Sequence, residues 1–185
     1  MNRRMLLIAC CAWLLMVPAL SAQLDFNFMP KGGKALLIQV LGDKADSVAV
    51  RQITQVRRGE QEWLKELEPK RGRLTDKELR TLAAYLLVNV PLSEDALKTA
   101  ESKGGWTEAL PPDGRELAWD NCQGCHSFFS GYLMQERSVV FWLATFNSPF
   151  HRDIEMTAKE RETFARYSAI NLPMKPEDVP EDLRY

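Results

Sequence analysis

Histidine is scarce in this chain: two residues in 185, His126 and His151. Cysteine is nearly as rare, and two of its four members, Cys10 and Cys11, lie close to the N-terminus. A zinc centre takes four ligands drawn largely from these two residue types, so little remains to build one. An excess of one charge is missing too. With 24 basic side chains against 25 acidic ones, there is no basic footprint of the kind that binds nucleic acid. Long apolar runs are absent apart from Met5–Val17, which excludes a multi-span membrane protein. With 45% hydrophobic and 26% charged residues, disordered and collagen-like polymers are excluded as well. The length suits one ordinary domain or two small ones.

What is present begins with an export signal, expected over residues 1–22. Arg3 and Arg4 supply the positive start, Met5–Val17 the apolar core and Pro18 its end, with small residues at Ala19, Ser21 and Ala22. Cleavage after Ser21 or Ala22 removes Cys10 and Cys11; an uncleaved anchor is the alternative reading. The mature chain then has 22 basic and 25 acidic residues and two cysteines, Cys122 and Cys125. In an oxidising compartment such a pair is a disulfide, a redox dithiol or a modified site.

The next residue narrows the choice. Cys122-Gln123-Gly124-Cys125-His126 is a C-x-x-C-H sequence, the attachment signature of c-type haem. Two thiols about one helical turn apart reach the two vinyl groups of one macrocycle, and the adjacent imidazole reaches the iron. A thiol oxidoreductase is the competing use of C-x-x-C, but the strand–helix alternation of a thioredoxin is missing. For zinc, only His151 remains as a further cysteine or histidine ligand.

The flanks of the motif carry a resemblance. Gly114-Arg115-Glu116-Leu117-Ala118-Trp119-Asp120-Asn121 reads as a short helix entering the motif. Downstream, Thr157-Ala158-Lys159-Glu160 is a capping box, Phe164, Tyr167 and Ile170 follow at helical spacing, and Asn171-Leu172-Pro173 ends that helix. Residues 113–173 thus resemble a class I (monohaem) cytochrome c, an all-α fold. The resemblance implies that Gly114 allows close crossing of the first and last helices. It also implies a second iron ligand shortly before the last helix, where the family usually places a methionine. Here His151 falls near the expected place and is favoured, with Met156 as the alternative; Met156 is also expected to act as a hydrophobic staple on the first turn of the helix. Met134 lies too near the motif and Met174 beyond the helix. A third outcome is an iron open on its distal side. Phe128, Phe129, Tyr132 and the run Val139–Phe146 with Trp142 are the expected pocket walls.

An internal repeat extends the reading. Thr75, Lys77, Glu78, Thr81, Ala83, Tyr85, Asn89 and Pro91 recur 82 positions later as Thr157, Lys159, Glu160, Thr163, Ala165, Tyr167, Asn171 and Pro173. Upstream, Gly33-Lys34-Ala35-Leu36 matches Gly114-Arg115-Glu116-Leu117 at an offset of 81, which sets Leu41–Ala45 opposite the attachment motif with neither thiol nor histidine. The expectation is two tandem small helical domains. The haem-less copy spans residues 23–103, and the haem-bearing one residues 104–185, with Ser93–Trp106 as linker. A helical docking domain unrelated to the second copy is the alternative for the first. Without haem, Leu36, Leu37, Ile38, Val40, Trp63, Leu64, Leu67 and the Leu82–Val90 run must fill the core, helped by docking on the second domain. Residues 23–103 carry 14 basic and 12 acidic side chains, residues 104–185 carry 8 and 13.

The function expected from this is single-electron carriage by one covalent haem c in the periplasm. No catalytic base or nucleophile cluster suggests an enzyme. The resemblance implies a redox protein partner, such as a periplasmic dehydrogenase (molybdenum or quinoprotein) or a respiratory acceptor, with no nucleic acid and no membrane span once the signal is removed. A haem-based sensor or gas-binding protein is the alternative, and a protein whose haem only completes the fold is a further one.

Overall fold

In the computed structural model, residues 26–184 are described; the export signal expected over residues 1–22 lies outside them. The described residues are helical without a named strand, which makes the fold all-α. In chain order the helices are α1 (Gly33–Leu41), α2 (Ser47–Thr54), α3 (Glu60–Leu67), α4 (Asp76–Asn89), α5 (Glu94–Glu101), α6 (Gly114–Cys122), α7 (Val139–Thr145) and α8 (Ala158–Asn171). No helix among the described residues is long and apolar enough to cross a membrane.

Local chemistry sets the helix starts. Thr75 and Thr157 each accept the N3 amide, at 3.3 Å, while Glu78 and Glu160 reach back to the cap amides at 2.8 and 2.7 Å. Each such box satisfies two amide donors that a helix start leaves unpaired, and a cap of this kind contributes about 1 kcal/mol. Asp46, Ser93 and Ser138 cap α2, α5 and α7.

Two apolar clusters form, one around α1–α5 and one around α6–α8. Leu36, Leu37, Trp63, Leu67, Leu82 and Leu86 are buried in the first, as the sequence predicts, while Ile38 and Leu64 are partly buried at its margin. The stretch Ser93–Trp106 is not a linker. It holds α5, whose Leu97 and Ala100 face inward, and Trp106, buried in the first cluster. The physical reason is that Leu97 and Ala100 lie three positions apart on one helical face, and burying that face beside Val50 outweighs the flexibility of Gly104-Gly105.

The two clusters meet through reciprocal contacts. Helices α4 and α8 make the most extensive helix–helix contact in the molecule. Asn89 Nδ2 donates to Thr163 Oγ1 at 2.9 Å, and Asn171 Nδ2 to Thr81 Oγ1 at 3.0 Å. Tyr85 Oη donates to the Pro111 carbonyl at 2.8 Å, and Tyr167 Oη to the Pro30 carbonyl at 2.7 Å. Each residue of one repeat therefore meets the counterpart of its own partner, the pattern of an isologous interface. The segments before α1 and α6 are exchanged accordingly. Phe26, Phe28 and Met29 join the second cluster, while Trp106 and Leu110 join the first.

Two glycines let the helices cross. A Cβ on Gly33 would stand 2.1 Å from Tyr85 Cβ, and one on Gly114 2.1 Å from Tyr167 Cβ. Between the starts of α1 and α6 sits Asp113, buried, and its carboxylate serves both. Oδ1 accepts from the Arg115 and Glu116 amides at 3.0 and 3.1 Å, and Oδ2 from the Lys34 and Ala35 amides at 3.2 and 3.4 Å. The position equivalent to Asp113 in the first repeat is Gly32, where a Cβ would lie 2.0 Å from the Asp113 carboxyl carbon. Burial, and then the neighbouring Glu116 charge, push the Asp113 carboxyl above the usual range.

Candidate functional site

Helix α6 delivers Cys122 at its last position, and the chain leaves it in a turn through Gln123–His126. One cavity of about 300 Å³ then gathers the candidate residues: Cys122, Cys125, His126, His151 and Met156 all line it. Tyr132, Trp142, Phe146 and Phe164 supply apolar walls, with Phe150 and Ile154 beside His151.

The two imidazoles meet edge to face, their ring centres 6.2 Å apart and their planes at 71°. His126 Nδ1 lies 3.2 Å from the Ser127 carbonyl. A carbonyl only accepts, so that contact puts the proton on Nδ1 and leaves Nε2 with its lone pair. His151 Nδ1 pairs with Ser148 Oγ at 2.8 Å, which again makes Nε2 the nitrogen left to ligate. The segment after the motif is one π-helical turn, Phe129–Leu133, that carries Tyr132 into the core, where its hydroxyl meets Ser168 Oγ at 2.8 Å. Within that turn Gly131 lies against the His126 ring: a Cβ there would be 2.3 Å from His126 Nδ1.

Cys122 is half-buried and Cys125 exposed, and the two are not joined in a disulfide. Burial, helped by the neighbouring Cys125, pushes the Cys122 thiol up to about 12. Catalytic dithiols work through a lowered thiol pKa, and burial moves Cys122 the other way. No group of three or more His, Cys, Asp and Glu side chains is placed to hold a bare metal ion among the described residues.

The expected walls are met only in part. Tyr132 and Trp142 line the cavity, whereas Phe128 packs behind it between Trp119 and Tyr132. On α7 one stripe, with Trp142, faces the core, and Val140 and Phe141 are 73% and 68% exposed. Met156 is buried and precedes the Thr157 cap, but the staple expected there does not form. The fourth helical position is Arg161, which donates to the Met156 carbonyl instead. Met156 corresponds to buried Leu74 in the first repeat, so an apolar core role explains it. Met134 and Met174 are not among the cavity residues.

Phe146, at the end of the expected Val139–Phe146 run, lines the cavity as well; sequence reasoning missed Gly131, Ser148, Phe150, Ile154 and the inward face of Phe164. The only available signal was Phe164 on the apolar stripe of α8. It also missed a second repeated pair: Arg58 stacks over Trp63 at 4.8 Å, and Arg137 over Trp142 at 5.2 Å, at an offset of 79.

The place opposite the motif in the first repeat is different. Asp43, Lys44 and Ala45 edge a cavity of about 440 Å³, partly closed by Val50, Leu97 and Trp106 and polar on its remaining sides. No protein-family model matches this chain, and no curated protein or solved structure matches it.

Proposed function

We propose that this chain is an exported monohaem c-type cytochrome that carries single electrons. The observation that carries the reading is the meeting of His126 and His151 across an apolar cavity edged by both motif cysteines. Each Nδ1 is engaged, by the Ser127 carbonyl and by Ser148 Oγ, so Nε2 is the nitrogen each imidazole would have left to hold an iron, and the two ring centres are 6.2 Å apart. When bound, haem c supplies one iron that alternates between ferric and ferrous and so passes one electron at a time.

The chain's own residues do the rest. Cys122 and Cys125 would hold the group covalently through their sulfurs. His126, set beside Gly131, and His151 would hold its iron. Tyr132, Trp142, Phe146 and Phe164 would give the group an apolar wall, and paired imidazoles favour a lower potential than imidazole with thioether. In this reading the first repeat, residues 23–103, is a haem-less copy serving as a docking module. The surplus of acidic over basic groups in residues 104–185 orients a basic redox partner in the periplasm, such as a dehydrogenase or respiratory acceptor.

The test is the intact mass and absorption spectrum of protein made in cells competent to attach haem. One covalent haem with a six-coordinate spectrum lacking the thioether band is expected. Protein without haem from such cells overturns the reading. One observation favours a second function, gas binding or sensing: His151 lies in a surface turn beside Phe150, which is 91% exposed. Rapid carbon monoxide binding by reduced protein is the result that reading requires.

A further inference from the structure

The turn that carries His151 has few ties of its own. Its backbone bonds are short-range, His151 N to the Ser148 carbonyl at 3.1 Å, Arg152 N to the same carbonyl at 3.0 Å and Ile154 N to the His151 carbonyl at 3.2 Å. Arg152 and Asp153 are exposed, as is Phe150. Besides the packing of Ile154 on the second cluster and the hydrogen bond from the Ser148 amide to the Thr145 carbonyl, one side chain of α8 ties this turn to the helical body. Arg161, in the first turns of α8, donates from Nη2 to the Arg152 carbonyl at 3.0 Å and to the Ile154 carbonyl at 3.1 Å, and from Nε to the Met156 carbonyl at 3.1 Å. Its guanidinium also lies over the Phe146 ring at 4.9 Å, and Phe146 lines the cavity. A planar fork with five donors can hold three carbonyls at once; a lysine ammonium on a flexible stem cannot do so in this geometry.

The internal repeat shows what the position does when no histidine has to be held. The counterpart of Arg161 is Leu79, which is buried in the first cluster. The connection there is shorter: Trp63 stands 12 positions before the Thr75 cap, whereas Trp142 stands 15 before Thr157. Thus the repeat with the longer connection and the histidine is also the one with the arginine.

We infer that Arg161 is a positioning residue for the distal ligand: it clamps residues 152–156 to α8 and so keeps His151 within reach of the iron. This rests on His126 and His151 being the iron ligands. The clamp also decides between the two functions above. A held turn makes an electron carrier closed to small molecules, and a released turn makes a site open to them.

The experiment uses the full, haem-loaded chain as wild type, Arg161→Ala, Arg161→Lys, His151→Ala and the double variant His151→Ala/Arg161→Ala. Spin state is read by absorption, distal access by the carbon monoxide association rate of reduced protein. Arg161→Ala is expected to turn part of the iron high-spin and to raise the association rate about tenfold or more, with Arg161→Lys in between. In the His151→Ala background, removal of Arg161 should add nothing. Hydrogen exchange at amides 148–156 should quicken in Arg161→Ala while that of α8 holds.

An unchanged spectrum and rate in Arg161→Ala overturns the clamp. So does a rate increase of the same size in the absence of His151, which would place the effect elsewhere. Should Arg161→Ala fail to fold, Arg161→Lys decides by the same two readouts, a wild-type spectrum and rate overturning the clamp. Failure of the underlying assignment looks different: wild-type protein without covalent haem, or a wild-type spectrum that His151→Ala leaves unaltered.

Discussion

The two repeats share their mutual interface and differ where the second holds its cavity. Gly33 and Gly114, Tyr85 and Tyr167, and Asn89 and Asn171 make matching contacts across the α4–α8 crossing. Away from it the repeats diverge. The second holds an apolar-walled cavity between His126 and His151, whereas the cavity at the corresponding place in the first is edged by Asp43, Lys44, Arg51 and Glu101 and only partly closed by Val50, Leu97 and Trp106. The segment between the repeats supplies Leu97 and Trp106, so it closes that place in part, on the side without thiols.

The comparison is broken most severely at the cysteines. Replacing Cys122 and Cys125 with alanine should abolish covalent haem and loosen the second cluster, seen by mass and near-ultraviolet circular dichroism. Lys44→Ala, at the matching place in the first repeat, should change neither. Next in size is the partial closure by Trp106. Trp106→Ala removes a buried indole, which costs about 3–5 kcal/mol in denaturant unfolding, and should leave any haem spectrum as it was. An altered spectrum would mean that the two clusters are not separate in function.

The crossings come next. Gly33→Ala and Gly114→Ala each drive a methyl group into a tyrosine, and each should cost about 1–3 kcal/mol. Similar values would show that the two crossings are energetically alike; tolerance at either site would show that its crossing can relax. The smallest effect is one of pH. Because burial raises the folded-state pKa of Asp113, the folded protein holds that proton more tightly than the unfolded chain does. The stability linked to it is complete below the ordinary carboxylate pKa and is lost as pH rises through the raised one. Stability relative to Asp113→Asn, measured by denaturant unfolding across pH, should therefore fall from about pH 4 upward.

What could be read in advance follows the range of the interactions. Capping boxes at Thr75 and Thr157, the repeat itself and the C-x-x-C-H motif are short-range patterns, and each describes local geometry that a sequence displays directly. His151 stands out as a candidate because histidine is scarce, and it lines the cavity with His126. The ties of its turn were not legible, since Arg161 acts on carbonyls, which every residue possesses. The same holds for Asn89 and Asn171. Both read as part of a helix ending, yet each also reaches across to a threonine of the other repeat. Ser93–Trp106 reads as a linker because two inward-facing residues, Leu97 and Ala100, are a weak signal beside the consecutive Gly104-Gly105. The exchange of Phe26–Pro30 and Trp106–Pro111 between the clusters depends on tertiary crossing alone.

One carboxylate caps two helices here, and its counterpart has no side chain. Were the two repeats separate copies of a single chain, both positions would have to carry the same residue. Two aspartates would then press like charges into the space of one, or two glycines would leave both helix starts uncapped. Joining the repeats in one polypeptide lifts that obligation: symmetry is kept over the broad interface and given up at the single point where it cannot be satisfied.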